Sequence, residues 1–179
     1  MTDATAPVLR LERCTLRTWR ADDGPSLVRH ANDREVWRNM RDAFPHPYTE
    51  GNARQWLEMA VGMTPVRFFA IEVAGEAAGG IGVTPLTDVY RRTGEIGYWL
   101  GRALWGRGIV SEAVRAMIEY AFGPLDLVRV QAAVYAWNEA SMRVLEKCGF
   151  EREGVQRRAA FKDGTFVDCV EYARLRPEA

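Results

Sequence analysis

Three glycines in the segment GRALWGRGIVSEAV, Gly101, Gly106 and Gly108, stand just before apolar residues that recur at helical spacing. A loop with little side-chain bulk opening onto a helix N-terminus presents unpaired backbone N–H groups and the positive end of the helix dipole. Such a site attracts phosphate. A Walker A loop is excluded, because Arg107 stands where its lysine must reach the phosphates and Gly108 where its hydroxyl must hold magnesium. A dinucleotide fingerprint is excluded too: Ser111 occupies the third glycine position, and the next strand segment ends near Tyr135 without a ribose-binding acid. What survives suits a pyrophosphate held by backbone.

The surrounding elements must aim this loop. GEIGYWL reads as a strand feeding it, and Val110, Ala113, Val114, Met117, Ile118 and Ala121 form one apolar helical stripe after it. VRVQAAVYA is the next strand, followed by a short helix over NEASMRVLEKC, with Asn138 as N-cap and Gly149 as its stop. Two final strands flank a turn at Asp163-Gly164. Upstream, VLRLERCTLRTW supplies an edge strand or two, and Asp22 and Thr49 offer caps for two helices. DREVWRNM continues the first helix, and FFAIEV begins a hairpin that turns around Gly75. This order predicts an α/β or α+β fold: one mixed, largely antiparallel sheet of six to seven strands flanked by about four helices.

The 179-residue length suits one domain over residues 8–176, preceded by a flexible tail over 1–7. Basic and acidic residues number 24 each, which argues against nucleic acid as a partner. Cys14, Cys148 and Cys169 lack metal or redox spacing and read as buried thiols in a reducing compartment. MTDATAP has no apolar h-region, and no stretch approaches the ~18 apolar residues of a membrane span, so a soluble cytoplasmic chain without metal or membrane partner is expected.

Five segments, FPHPYT, GEIGYWL, WGRGIVSEAV, NEASMRVLEKCGF and EREGVQRRAAFKDGTFVDCVEYARL, occur in the order and spacing of a known family. The chain resembles the GNAT acetyl-CoA-dependent N-acetyltransferases, and within them the group typified by the ribosomal-protein N-terminal acetyltransferases RimJ and RimL. The resemblance covers nearly the whole chain. It implies the GNAT fold, with the sheet splayed at its centre and the pantetheine arm of acetyl-CoA lying in the gap.

The family pyrophosphate motif, Q/R-x-x-G-x-G/A, falls on Trp105 to Val110, with a match at Gly108 and departures at Trp105 and Val110. The resemblance therefore implies pyrophosphate binding by the amides of Trp105, Gly106, Arg107, Gly108, Ile109 and Val110, with Arg107 either a cationic contact or a solvated loop residue. It further implies that backbone at Trp99, Leu100 and Gly101 binds pantetheine, and that an N–H near Tyr98 or Trp99 polarises the thioester carbonyl. Asn138 would hydrogen-bond the CoA arm, and Ser141 would protonate the departing thiolate.

Glu95 occupies the position from which some members of the superfamily supply a base; the other reading is a carboxylate that positions the acceptor or braces the sheet. About a tenth of an α-amine is neutral at pH 7, against under a thousandth of a lysine, so an α-amine acceptor needs Glu95 less. In the resembled group the FPHPYT loop walls the acceptor pocket, making Phe44, His46 and Tyr48 expected substrate contacts. Trp37, Tyr90, Trp99 and Trp137 read as core or pocket. The implied activity is direct acetyl transfer to a primary amine: a protein N-terminal α-amine first, or a polyamine, amino acid or antibiotic. A CoA-binding sensor without catalysis is the rival from another class. A homodimer is the family expectation.

Overall fold

The computed structural model describes residues 7–178; most of the expected N-terminal tail, residues 1–6, lies outside the described residues. In chain order the elements are β1 (Leu9–Arg10), β2 (Thr15–Arg17), α1 (Gly24–Ala31), α2 (Arg34–Trp37), α3 (Glu50–Ala60), β3 (Phe68–Val73) and β4 (Glu76–Pro85). These are followed by β5 (Thr93–Leu100), α4 (Ile109–Phe122), β6 (Arg129–Tyr135), α5 (Glu139–Lys147), β7 (Glu151–Lys162) and β8 (Thr165–Leu175). The strands form one open eight-stranded sheet in the order β1-β2-β3-β4-β5-β6-β8-β7. Among the described residues, eight strands and five helices exceed the six to seven and about four expected. The apolar N-terminal segment breaks at Leu11–Cys14 into two short strands, and the segment after α1 does not continue it. Asp33 instead starts α2 anew, accepting from the Glu35 amide at 2.7 Å.

Local chemistry accounts for the element ends. Thr49 Oγ1 accepts from the Asn52 amide at 3.3 Å and starts α3, and Asn138 Oδ1 accepts from the Ser141 amide at 3.1 Å and starts α5. Asp23, rather than Asp22, precedes α1, and its carboxylate binds the buried Arg17 guanidinium at 2.7 and 2.8 Å. The β3–β4 and β7–β8 hairpins turn on Ala74-Gly75 (φ 51° and 83°) and Asp163-Gly164 (φ 51° and 76°). Positive φ at both central residues is the turn that matches strand twist.

Strand alternation divides the core into two layers. Ile96 and Leu100 of β5 and Val130, Ala132 and Val134 of β6 face α4 and α5, packing with Val114, Met117, Ile118 and Leu145. Each fully buried side chain of that size contributes roughly 1.5–3 kcal/mol. On the opposite face, Leu27, Ala31, Tyr48, Ala53 and Leu57 from α1, α3 and the intervening loop pack on Ala70 and Ala77.

One junction in the sheet is unlike the others. β5 pairs with β4 all the way to Leu100, but its parallel pairing with β6 covers only Thr93–Glu95 opposite Arg129–Gln131. Beyond Glu95 the two strands part, leaving backbone groups on the facing edges of β5 and β6 without a strand partner. The expected central splay is present.

Candidate active site

The splay opens into a cavity of about 1300 Å³ that reaches both faces of the sheet. Its lining joins three groups of residues: the loop after β5, the start of α5, and the aromatic residues between α2 and β3.

The loop supplies the anion-binding part. Gly106 and Gly108 have φ of 76° and 78°, a left-handed conformation that costs a side-chain-bearing residue roughly 1–2 kcal/mol. Gly108 is the N-cap of α4 and brings no side-chain cap. Among the described residues, the amides from Gly106 to Ser111 have no protein acceptor, whereas the next, Glu112, bonds to the Gly108 carbonyl at 3.1 Å. A run of unsatisfied donors at a helix start fits a pyrophosphate. Trp105 through Val110 all line the cavity, as do Trp99 and Leu100 of β5. Trp105 itself donates from Nε1 to the Leu100 carbonyl at 2.7 Å, so its indole ties the loop to β5. Gly101 does not line the cavity. Its amide bonds to the Ala78 carbonyl at 2.8 Å, and a Cβ there would lie 2.6 Å from His30 Nδ1; its role is close packing rather than an open backbone contact.

Arg107 lines the cavity together with Arg143 and Lys147 of α5. The last two were not singled out from the sequence, although their i, i+4 spacing puts them on one helix face, beside a loop built for anions.

Glu95 and Ser141 approach the cavity from opposite faces of the sheet. Alternation along β5 sets Glu95 on the α1–α3 face with Trp99, and sets Tyr98 on the α4–α5 face, where it packs against the core. Ser141 lies in the first turn of α5. Its Oγ is 2.8 Å from the Tyr98 hydroxyl, and both residues line the same cavity as Glu95. Burial pushes the Tyr98 phenol far above its ordinary value, an effect that the hydrogen bond to Ser141 only partly offsets. Either hydroxyl can donate in this pair; with the Tyr98 phenol as donor, the serine O–H is left free for another acceptor. The Tyr98 side chain is thus a functional candidate that sequence reasoning missed; only the backbone near it was singled out, and no spacing rule links its hydroxyl to a helix forty residues later.

Glu95 has a partner that was also missed. Arg41, in the loop after α2, pairs through Nη2 with its carboxylate, and Arg41 itself is mostly exposed. The same loop is pinned from the other side. Lys162, at the end of β7, is buried with Nζ 2.7 Å from Asp42 Oδ1 and 3.7 Å from the Trp37 ring centroid, and Arg34 binds Asp163 at 2.8 and 2.9 Å. The β7–β8 turn therefore braces the loop that carries Arg41.

Of the expected acceptor contacts, Phe44 and Tyr48 line the cavity and His46 does not. The His46 ring is turned onto Trp37, 5.8 Å between centroids. Trp99 lines the pocket, Tyr90 is exposed, and Trp137 donates to Asn39 Oδ1 at 3.1 Å. Asn138 lines the cavity while its Oδ1 caps α5. All three cysteines are free and buried; burial, the largest cause, pushes Cys14 up to about 11 and raises Cys148 and Cys169.

The acetyltransferase (GNAT) domain family model matches residues 13–151. The uncharacterized N-acetyltransferase p20 of Bacillus licheniformis is 32% identical over 95% of this chain and 97% of its own. The ribosomal-protein-serine acetyltransferase of Escherichia coli is 34% identical over 47% of each chain. Among solved structures, Mycobacterium smegmatis RimJ in complex with CoA-disulfide superposes with a TM-score of 0.75 at 26% identity, covering 95% of this chain and 86% of that one. The chain belongs to the GNAT family and is an N-acetyltransferase. Among the described residues no helix is long and apolar enough to cross a membrane.

Proposed function

We propose that the chain transfers acetyl from acetyl-CoA directly to a primary amine, with a protein N-terminal α-amine as the acceptor. Support for that acceptor comes from the Escherichia coli relative named for ribosomal-protein serine. The observation that carries the transfer is the opening of Glu95 and the Tyr98–Ser141 pair onto one cavity from opposite faces of the sheet.

Acetyl-CoA supplies an acyl group activated as a thioester. The amides from Gly106 to Ser111, with Arg107, Arg143 and Lys147 nearby, hold its phosphates, and the unpaired edge of β5 aligns the pantetheine arm. Glu95 accepts the proton released by the ammonium, and a backbone N–H at Tyr98 or Trp99 takes up charge on the carbonyl oxygen. Ser141, held by Tyr98, donates to sulfur as the carbon–sulfur bond breaks and is reprotonated, through water in the cleft, by the second proton that the nitrogen loses as it becomes an amide. The balance is an ammonium and a thioester converted to an amide, a thiol and one proton. The route needs no covalent acyl-enzyme: Cys14 and Cys148 do not line the cavity, and burial raises the pKa of all three thiols, including Cys169 at its wall.

Free-thiol release from acetyl-CoA, followed against N-terminal peptides and small amines, tests this reading. Acetylation of peptide N-termini is expected. Turnover confined to small free amines overturns the choice of a protein acceptor, and CoA binding without turnover of any amine supports the sensor instead.

A further inference from the structure

The acceptor side of the cavity has an unusual wall. Phe44 stands 5.1 Å from Tyr48 and 5.4 Å from Trp99 between ring centroids, and Trp56 stands 5.5 Å from Phe68. All five rings line the cavity, with Met40 and Met59 beside them. The floor beneath is made of glycine. A Cβ on Gly80 would lie 2.9 Å from Trp99 Nε1, and one on Gly82 would overlap the Phe68 ring, so both rings fill space that side chains of β4 would otherwise occupy.

The charges around the same cavity are lopsided. Among the described residues Glu95 is the single carboxylate that lines the cavity, it is already paired with Arg41, and the other charged lining residues, Arg107, Arg143 and Lys147, are cations. An acceptor with several ammonium groups finds one counter-charge for all of them, and each further charge must be desolvated against aromatic carbon or set beside a cation. An acceptor with one amine and a large apolar group meets the opposite conditions. Its amine reaches Glu95 and the cleft, and its apolar group is removed from water against the rings.

We propose that the pocket selects amines borne next to a large apolar or aromatic side chain, which the wall of Phe44, Tyr48, Trp56, Phe68 and Trp99 takes up. This rests on the acetyltransferase reading above and narrows its acceptor. Polyamines and other polycationic amines are disfavoured by the same wall. The chemistry is common to a polypeptide that begins with such a residue and to the corresponding free amino acid.

Thiol release is measured with acetyl-CoA and a series of tripeptide amides beginning with Phe, Leu, Met, Ala or Ser, with free phenylalanine, and with spermidine. The kcat/KM for Phe, Leu and Met is expected to exceed that for Ala and Ser by about 10- to 100-fold, the discrimination an apolar pocket can supply. Phe44→Ala is expected to shrink that ratio several-fold without changing CoA affinity by calorimetry; Phe44→Leu serves if the alanine variant does not fold. Comparing free phenylalanine with the Phe peptide separates the two sources. Equal or better turnover of Ser, Ala or spermidine, or a ratio untouched by Phe44 substitution, overturns the selection while leaving the acetyltransferase reading intact. Absence of thiol release with every amine overturns that reading itself, and the selection with it.

Discussion

The Tyr98 hydroxyl and Ser141 Oγ lie 2.8 Å apart, joining a central strand to the first turn of a helix forty-three residues later in the chain. The contact forms because β5 leaves β6 after Glu95, which brings the far half of β5 next to the N-terminus of α5 across the cleft. A residue that keeps its proton thus fixes the rotamer of the residue proposed to protonate sulfur.

Tyr98→Phe keeps the ring in the core and removes the hydroxyl. Losing one neutral hydrogen bond has a net effect of about 1 kcal/mol, so kcat is expected to fall roughly 5- to 10-fold with CoA affinity unchanged. Ser141→Ala is expected to lower kcat further, by about 100-fold, again with little change in CoA binding. Combining the two should cost little more than Ser141→Ala alone, because Tyr98 acts through Ser141. Steady-state kinetics and calorimetry on the three variants check this; additive losses would show that the two residues act independently.

The loop makes a separate prediction. Gly108 sits at φ 78°, and a Cβ added there would meet only ordinary contacts, the nearest being Arg13 at 3.7 Å. Gly108→Ala therefore meets backbone strain of about 1–2 kcal/mol rather than a clash. The peptide is expected to rotate and misdirect the amides that follow, weakening CoA by about tenfold in calorimetry while the far-UV spectrum stays native. Unchanged CoA affinity would separate these amides from the pyrophosphate.

Lys162 gives the acceptor side its own test. Its buried ammonium, held by Asp42 and the Trp37 face, braces the loop that carries Arg41. Lys162→Met preserves the stem and removes the charge. The KM of the acceptor is expected to rise several-fold with the Kd of CoA unchanged. A matching change in CoA affinity would mean that the brace acts on the whole fold rather than on the acceptor loop.

Glu171, on β8, carries a pH prediction. Burial, then the charges of Glu95 and Glu153, raise its pKa above the ordinary carboxylate value, against the opposing Arg129. A carboxylate raised in the folded state destabilises the fold where it is ionised, and this penalty is absent below its unfolded pKa. Glu171→Gln is therefore expected to raise the melting temperature at pH 7 and to lose that advantage near pH 4. A difference independent of pH would contradict the assigned cause.

Much of this arrangement could be read from the sequence because it depends on local chemistry. Thr49 and Asn138 cap helices wherever their backbones lead, Asp163-Gly164 can form only a narrow set of turns, and the glycines before Ile109 announce bare amides. The loop of unpaired amides before α4 was legible for that reason. On the acceptor side Glu95, Phe44 and Tyr48 were legible, but the rest was not, because it is assembled by long-range contacts. Arg41 sits in a loop with no periodicity, and only the folded sheet brings it to Glu95. Tyr98 alternates with Glu95 and so reads as its inward-facing neighbour. His46, flanked by prolines, looked like a pocket residue, but the nearby Trp37 offers its ring a surface outside the cavity. Arg143 and Lys147 carried a usable signal, their shared helix face, that becomes meaningful once α5 is known to border the loop.

Initial rates measured while both acetyl-CoA and an N-terminal peptide are varied test direct transfer across the cleft most directly. Double-reciprocal lines that intersect, with stoichiometric acetylated peptide and free thiol, are the predicted result. Parallel lines, with acetyl found on the protein when the amine is withheld, would contradict it.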